Sequence, residues 1–468
     1  MRKRVLLLCG LAVVTAGRAL AAQTLAERYQ PVADSIIAAA TRDSSAWNRL
    51  AELTDRFGNR ISGSEALEHA IDWVLGQMRQ DGLDSVRGEP VMVPHWVRGD
   101  EWAELESPRR TRLAMLGLGG SVGTPRNGIE AEVLVVHSFE ELDRRAAEAR
   151  GKIVLFDVPW QNYGVNVQYR SRGAVAAARV GAVASLIRSA ESYSLRTPHT
   201  GMMSYDSTGA VRRIPHAALS SEDADMLARM AARGDRVVVR LMMSARTLPD
   251  TPSRNVVAEL RGRERPDEVV VMGGHIDSWD VGMGAVDDGG GVVASWEAVH
   301  LLARLGLRPR RTIRVVGWTN EENGLRGGNG YRDAHRDQVP NHVLAIETDA
   351  GIFRPEGIAF AGTDTATAIM RQVAHLLRGI NADSLSRGGG GADIGPIMRM
   401  GVPGMSPEVA NDRYFWFHHS PADTPDKIDP RDMALCVAEL AIVTYVVADM
   451  PDRLPFGGLP ADVRPRQE

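Results

Sequence analysis

Glu268-Val-Val-Val-Met272 runs straight into Gly-Gly-His275-Ile-Asp277. The first five residues are a short apolar run closed by two glycines, the pattern of a strand buried on both faces. An imidazole and a carboxylate come directly after it. Two later apolar runs repeat the arrangement: Thr312–Trp318 leads into Thr-Asn-Glu321-Glu322, and His342–Ile346 into Glu347-Thr-Asp349-Ala-Gly. Between them Val292–Leu305 reads as a helix, with Val292, Trp296 and Val299 on one face. Asn255–Leu260 adds a further strand. Strands alternating with helices predict an α/β domain with a mostly parallel central sheet flanked by helices. Open sheets of this kind place their sites at the carboxyl ends of the strands, where all these polar side chains fall.

Two more segments join them. Asp287-Asp288-Gly-Gly-Gly opens the predicted helix, where the helix dipole favours an anionic side chain and glycine lets the backbone pass close to a ligand. Tyr414-Phe-Trp-Phe-His418-His419-Ser420 sets two imidazoles beside an aromatic patch. Mixed imidazole and carboxylate donors suit zinc, which takes four ligands and keeps one position open when catalytic. The sequence has no His-Glu-x-x-His, which excludes the commonest single-zinc peptidase arrangement.

Working outward, 468 residues exceed what one hydrophobic core normally serves. The expected division is an export signal over 1–22, the first part of a catalytic domain over 23–105, a smaller β-rich domain over 106–250, and the main catalytic part over 251–468. Residues 24–90 read as helical, with Ser62 and Glu65 as a capping box. Thr247–Ser253, with two prolines, reads as the connection out of the middle region. The signal rests on Arg2, Lys3 and Arg4, then an apolar stretch, then Ala19-Leu20-Ala21. It implies a secreted or periplasmic destination, with no membrane attachment after cleavage. Cleavage removes four basic residues and no acid, taking the net charge from −4 to −8. Such a surface excludes nucleic acid as an expected partner. Only Cys436 is left, so no intrachain disulfide can form; it reads as a small buried hydrophobe. His300 and His375 read as structural, and Gly388–Gly391 with Asp393 as a substrate loop or a plain surface turn.

The blocks quoted above, with Ser253-Arg-Asn-Val-Val-Ala-Glu-Leu and Phe57–Ser64, resemble the co-catalytic zinc aminopeptidase family. The middle region looks like a protease-associated domain inserted into that fold. The resemblance implies two zinc ions per chain, His275 and Asp349 binding one, Glu322 and His419 the other, and Asp287 bridging them. It further implies Glu321 as general base toward a water shared by the ions, and Asp277 behind His275 as its orienting residue. His418, beside a ligand, is a candidate donor to the developing oxyanion. The activity implied is hydrolysis next to a free α-amine in short peptides or dipeptides, by a chain that forms a homodimer. Three rivals stand beside it. A carboxypeptidase needs a basic anchor, for which Arg387 or Arg413 are candidates. A one-zinc cyclotransferase would not need the His275 and Asp349 pair. A non-enzymatic scaffold should have lost ligands, and none is lost here. Cobalt or manganese could occupy the same donors.

Overall fold

The computed structural model describes residues 24–457; the expected export signal lies outside them. The catalytic segment folds on an eight-stranded sheet of β1 (Asp84–Val97), β2 (Arg246–Leu260), β3 (Arg265–His275), β4 (Arg311–Trp318), β5 (His342–Glu347), β6 (Pro355–Ala361), β7 (Ser384–Arg387) and β8 (Gly404–Val409). Their spatial order is β1-β2-β4-β3-β5-β8-β6-β7. The strand expected from Glu268–Met272 is β3, parallel to β4 on one side and β5 on the other. Val270 and Met272 pack into the core under the long helices, while Val269 and Val271 face a second core with Tyr331 and Ile397. Both faces of β3 are therefore dry, which is why its sequence shows no polar alternation. Each such valine contributes roughly 1.5–3 kcal/mol by burial.

The sheet is mixed: its four middle strands, β4, β3, β5 and β8, are parallel as expected, and the antiparallel pairs lie toward its edges. β5 is parallel to β8 and β6 to β7, but β1–β2, β2–β4 and β6–β8 are antiparallel. Thr247–Ser253 is no free connection either; it belongs to β2 and pairs with β1. β2 meets β4 only from Val256 to Leu260, so its proline-bearing half is bonded along one side alone. A missing N–H is tolerated there.

Helices Leu25–Ala40, Ser45–Phe57, Glu65–Gln80, Gly290–Arg304 and Pro430–Asp449 pack into one continuous core with the sheet. The third is not capped by Ser62, as the capping box suggested: its cap is Ser64, which accepts from the Leu67 N–H at 3.2 Å. Ser62 is used elsewhere. The helical reading of 24–90 also ends early, because Asp84 already opens β1. The C-terminal helix is buried along nearly its whole length. Among the described residues no helix is long and apolar enough to cross a membrane.

Residues between β1 and β2 build a second eight-stranded sheet. Its order is Thr111–Leu113, Glu101–Ser107, Val238–Met243, Ile129–Val136, Ile153–Phe156, Ala184–Arg188, His216–Leu219 and Met115–Gly117. Helix Tyr163–Arg179 packs against it and carries Ala174 and Ala177 into its core. In strand count this unit is no smaller than the first.

Candidate metal centre

The register of the central strands does the first part of the assembly. His275 pairs with Trp318, and Gly273 with both Val316 and Glu347, so β3, β4 and β5 end side by side. Glu321, Glu322 and Asp349 then emerge within a few residues of His275. The turn Ala285–Gly289 between β3 and the helix Gly290–Arg304 brings Asp287 to the same place. The short helix Tyr414–Phe417, which comes after β8, delivers His418 and His419.

Asp287 stands in the middle. Its Oδ1 lies 3.1 Å from His275 Nε2, and that nitrogen is 3.5 Å from Asp349 Oδ1. Its Oδ2 lies 3.3 Å from His419 Nε2, which is 2.9 Å from Glu322 Oε2. One carboxylate thus faces two donor groups with one oxygen each. Donors around a tetrahedral zinc, bound at about 2.0–2.2 Å, sit roughly 3.3–3.6 Å apart, which is close to what these pairs show. Asp287 Oδ2 and Asp349 Oδ1 are buried and receive no hydrogen bond from the protein, an arrangement that is costly unless a cation completes it. The donor set fits two zinc ions.

The charges point the same way. Burial, reinforced by Asp287, pushes Glu322 well above the usual carboxylate range. Burial lowers the basicity of His275, but the close approach of the Asp287 and Asp349 carboxylates outweighs this and holds it well above an ordinary histidine. Crowded buried carboxylates that attract protons attract a dication for the same Coulombic reason.

The supporting residues are partly those expected. His275 Nδ1 lies 2.9 Å from the backbone carbonyl of Asp277, whereas the Asp277 carboxylate is 3.8 Å away. That carboxylate instead accepts the Glu321 N–H at 3.1 Å and the Ser62 hydroxyl at 3.3 Å. Asp277 therefore touches both the imidazole and the half-buried Glu321, through different atoms. Asp288 accepts from the His275 N–H at 3.0 Å and from Gly291 N–H at 3.1 Å, the latter at the start of the helix. A Cβ on Gly274 would lie 2.0 Å from Asp288 Oδ2, so glycine is required for that approach. His418 stacks on His419 with ring centroids 3.5 Å apart, and its Nε2 is 3.7 Å from Asp287 Oδ2. It stands among the donors as well as beside them.

Sequence reasoning missed Asp423 and Arg60. The Asp423 carboxylate collects the N–H groups of Ala285, Val286 and Asp287. Arg60 is fully buried and donates to the carbonyls of Ile276, Met283 and Gly284, fixing the loop between His275 and Asp287. Its only signal was the Phe57–Ser64 block that contains it. Arg387 is exposed and faces Asp364 at 3.6 Å, and Arg413 lies over the Phe353 ring. His300 is tied to Glu297 and His375 to Arg378, away from the donors. Asp393 is buried, and Gly391 lies so close to Glu347 that a Cβ there would meet it at 2.2 Å, so this segment is no plain surface turn.

Comparison with known proteins fits this geometry. The family model described as Peptidase family M28 matches residues 255–443, the span holding every donor named above. Human carboxypeptidase Q is 50% identical over 409 residues, covering 87% of this chain and 86% of that protein. The crystal structure of a peptidase M28 precursor from Shewanella amazonensis superposes with a TM-score of 0.88 at 36% identity, covering 93% of this chain and 99% of that one. A zinc aminopeptidase from Bacillus subtilis shares the fold at a TM-score of 0.65 and 18% identity, over 89% of this chain and 98% of its own. With half of the aligned residues shared with human carboxypeptidase Q over 87% of the chain, and the family model matching the span that holds the candidate donors, this protein belongs to peptidase family M28.

Proposed function

We propose that this chain is an exported two-zinc exopeptidase that hydrolyses short peptides, dipeptides included, next to a free α-amine. The observation that carries the reading is Asp287, whose two oxygens each face a separate donor group. His275 and Asp349 would hold one zinc, Glu322 and His419 the other, with Asp287 between. Bound zinc supplies Lewis acidity, lowering the pKa of a water toward neutrality and polarising a peptide carbonyl. Glu321 takes the proton of the attacking water and returns it to the leaving amine. Asp277, through the Glu321 N–H, keeps that base at the donor cluster. His418 is placed to donate to the oxygen that gains charge as the peptide bond is attacked.

The name of the human relative favours a second reading, release from the carboxyl end. A dipeptide satisfies both, so the deciding substrates are longer peptides blocked at one end. With zinc-reconstituted protein, an N-acetylated tripeptide should resist cleavage and a C-amidated tripeptide should lose its first residue. The reverse pattern establishes the carboxypeptidase reading. The second sheet is read as a protease-associated domain, the leader as directing the chain to the periplasm or out of the cell, and the working form as a homodimer; size measurement of the purified mature protein tests the last.

A further inference from the structure

The second sheet unit reaches the donor cluster through the helix Tyr163–Arg179, whose Tyr163 ring packs edge-on against His418, and through one short loop. The Thr200 N–H donates to the His419 carbonyl at 2.9 Å, and the Thr200 carbonyl lies 3.3 Å from His419 Nδ1. Arg170, on the helix Tyr163–Arg179 and only 6% exposed, places Nη1 at 3.2 Å from the same ring nitrogen and 3.4 Å from the same carbonyl. Its Nη2 donates to Tyr163 Oη at 2.7 Å, which fixes the guanidinium plane. Gly201, at φ +133, lies against both groups: a Cβ there would be 2.3 Å from Arg170 Nη1 and 2.7 Å from His419 Nδ1.

These contacts bear on coordination. His419 Nε2 faces Glu322 and Asp287. An imidazole binds a metal only through a nitrogen that carries no proton, so coordination through Nε2 requires the proton on Nδ1. The Thr200 carbonyl is the acceptor waiting there; the Arg170 guanidinium, which can only donate, serves that carbonyl, and in this tautomer its approach to Nδ1 is a packing contact and not a hydrogen bond. Partners of this kind set both the tautomer and the ring orientation of a ligand.

We infer that Arg170 and the loop His199–Gly201 are positioning elements of the metal centre, so that the Glu322–His419 site is completed by the second sheet unit. The inference rests on the two-zinc reading above. It makes the second unit part of the centre rather than a neighbour to it.

Zinc stoichiometry by mass spectrometry, affinity by chelator competition and the visible absorption of cobalt-substituted protein provide the test. Wild-type protein is expected to bind two equivalents. Gly201→Ala alters spacing without altering charge, and is expected to keep one equivalent and bind the other roughly 10–100-fold more weakly, with a changed cobalt spectrum for that equivalent. Arg170→Lys retains the charge but loses the fork, and is expected to behave alike. Gly209→Ala is the control: it imposes the same kind of backbone strain in the same unit, at φ +74 with nothing within 4 Å, and should keep both equivalents. Unchanged second-site affinity in both Gly201→Ala and Arg170→Lys, or equal weakening in Gly209→Ala, overturns the inference while leaving the two-zinc reading intact. Wild-type protein that binds no zinc removes both.

Discussion

The Asp423 carboxylate receives the backbone N–H of Asp287 at 3.2 Å, together with those of Ala285 and Val286 at 2.9 and 2.6 Å. Asp423 sits four residues after His419, so the loop that carries His419 also fixes the turn that carries Asp287, the proposed bridge. Burial pushes the Asp423 carboxyl up to about 7. Replacing it by Asn turns one acceptor atom into a donor aimed at a buried N–H. Asp423→Asn is therefore expected to cost about 1–3 kcal/mol of stability, read by denaturant unfolding. Zinc affinity should fall at both sites together, since the turn it holds serves both.

Asp287→Asn tests the bridge itself. An amide offers one oxygen, while the carboxylate offers two, each turned to a different imidazole. Loss of affinity for both zinc equivalents is the expected result in a metal titration. Unchanged affinity for both equivalents would take Asp287 out of the bridge.

Glu321→Gln separates binding from chemistry. The side chain is not among the donors assigned to either zinc, so two equivalents should remain bound. Turnover of a dipeptide should fall by about 100- to 10,000-fold, the usual worth of a positioned general base. Wild-type rates in this variant would take Glu321 out of the proton transfer.

Glu191 and His199 form a buried pair at 3.2 Å in the second sheet unit. Burial pushes Glu191 up to about 7 and His199 down to about 3, so near pH 6 both are neutral and the contact is no ion pair. With its folded value above the unfolded one, Glu191 binds an extra proton in the folded state between about pH 4.5 and 7. Its contribution to stability is fully present below that window and is lost as pH rises through it. His199 acts oppositely between about 3 and 6.5, so wild-type protein alone does not isolate the effect. Glu191→Gln does: its stability relative to wild type should rise from pH 4.5 to 7, by on the order of 1–3 kcal/mol, in unfolding curves taken across that range. A flat difference would mean that Glu191 is ionised throughout.

Much of the centre was legible because the end of a buried strand dictates where the next few residues lie. Once Glu268–Met272, Thr312–Trp318 and His342–Ile346 are read as neighbouring buried strands, the residues just beyond them can only gather at one edge, whatever the rest of the chain does. The direction of the outer strands was less legible. β1 and β2 owe their antiparallel pairing to partners far apart in the chain, Asp84 with Glu259 at one end and Val97 with Arg246 at the other. A single strand's composition does not record which way its neighbour runs.

By itself the sequence determined the donor inventory, the central strands and the family to which they belong, because these depend on local runs and short spacings. Tertiary structure alone decided that Ser62 serves Asp277 and not a helix cap, that Asp423 holds the Asp287 turn, and that Arg170 and Thr200 stand behind His419. Each of those contacts joins residues far apart along the chain or in different sheets, where hydrogen-bond geometry is set by packing and leaves no periodic trace in the order of amino acids.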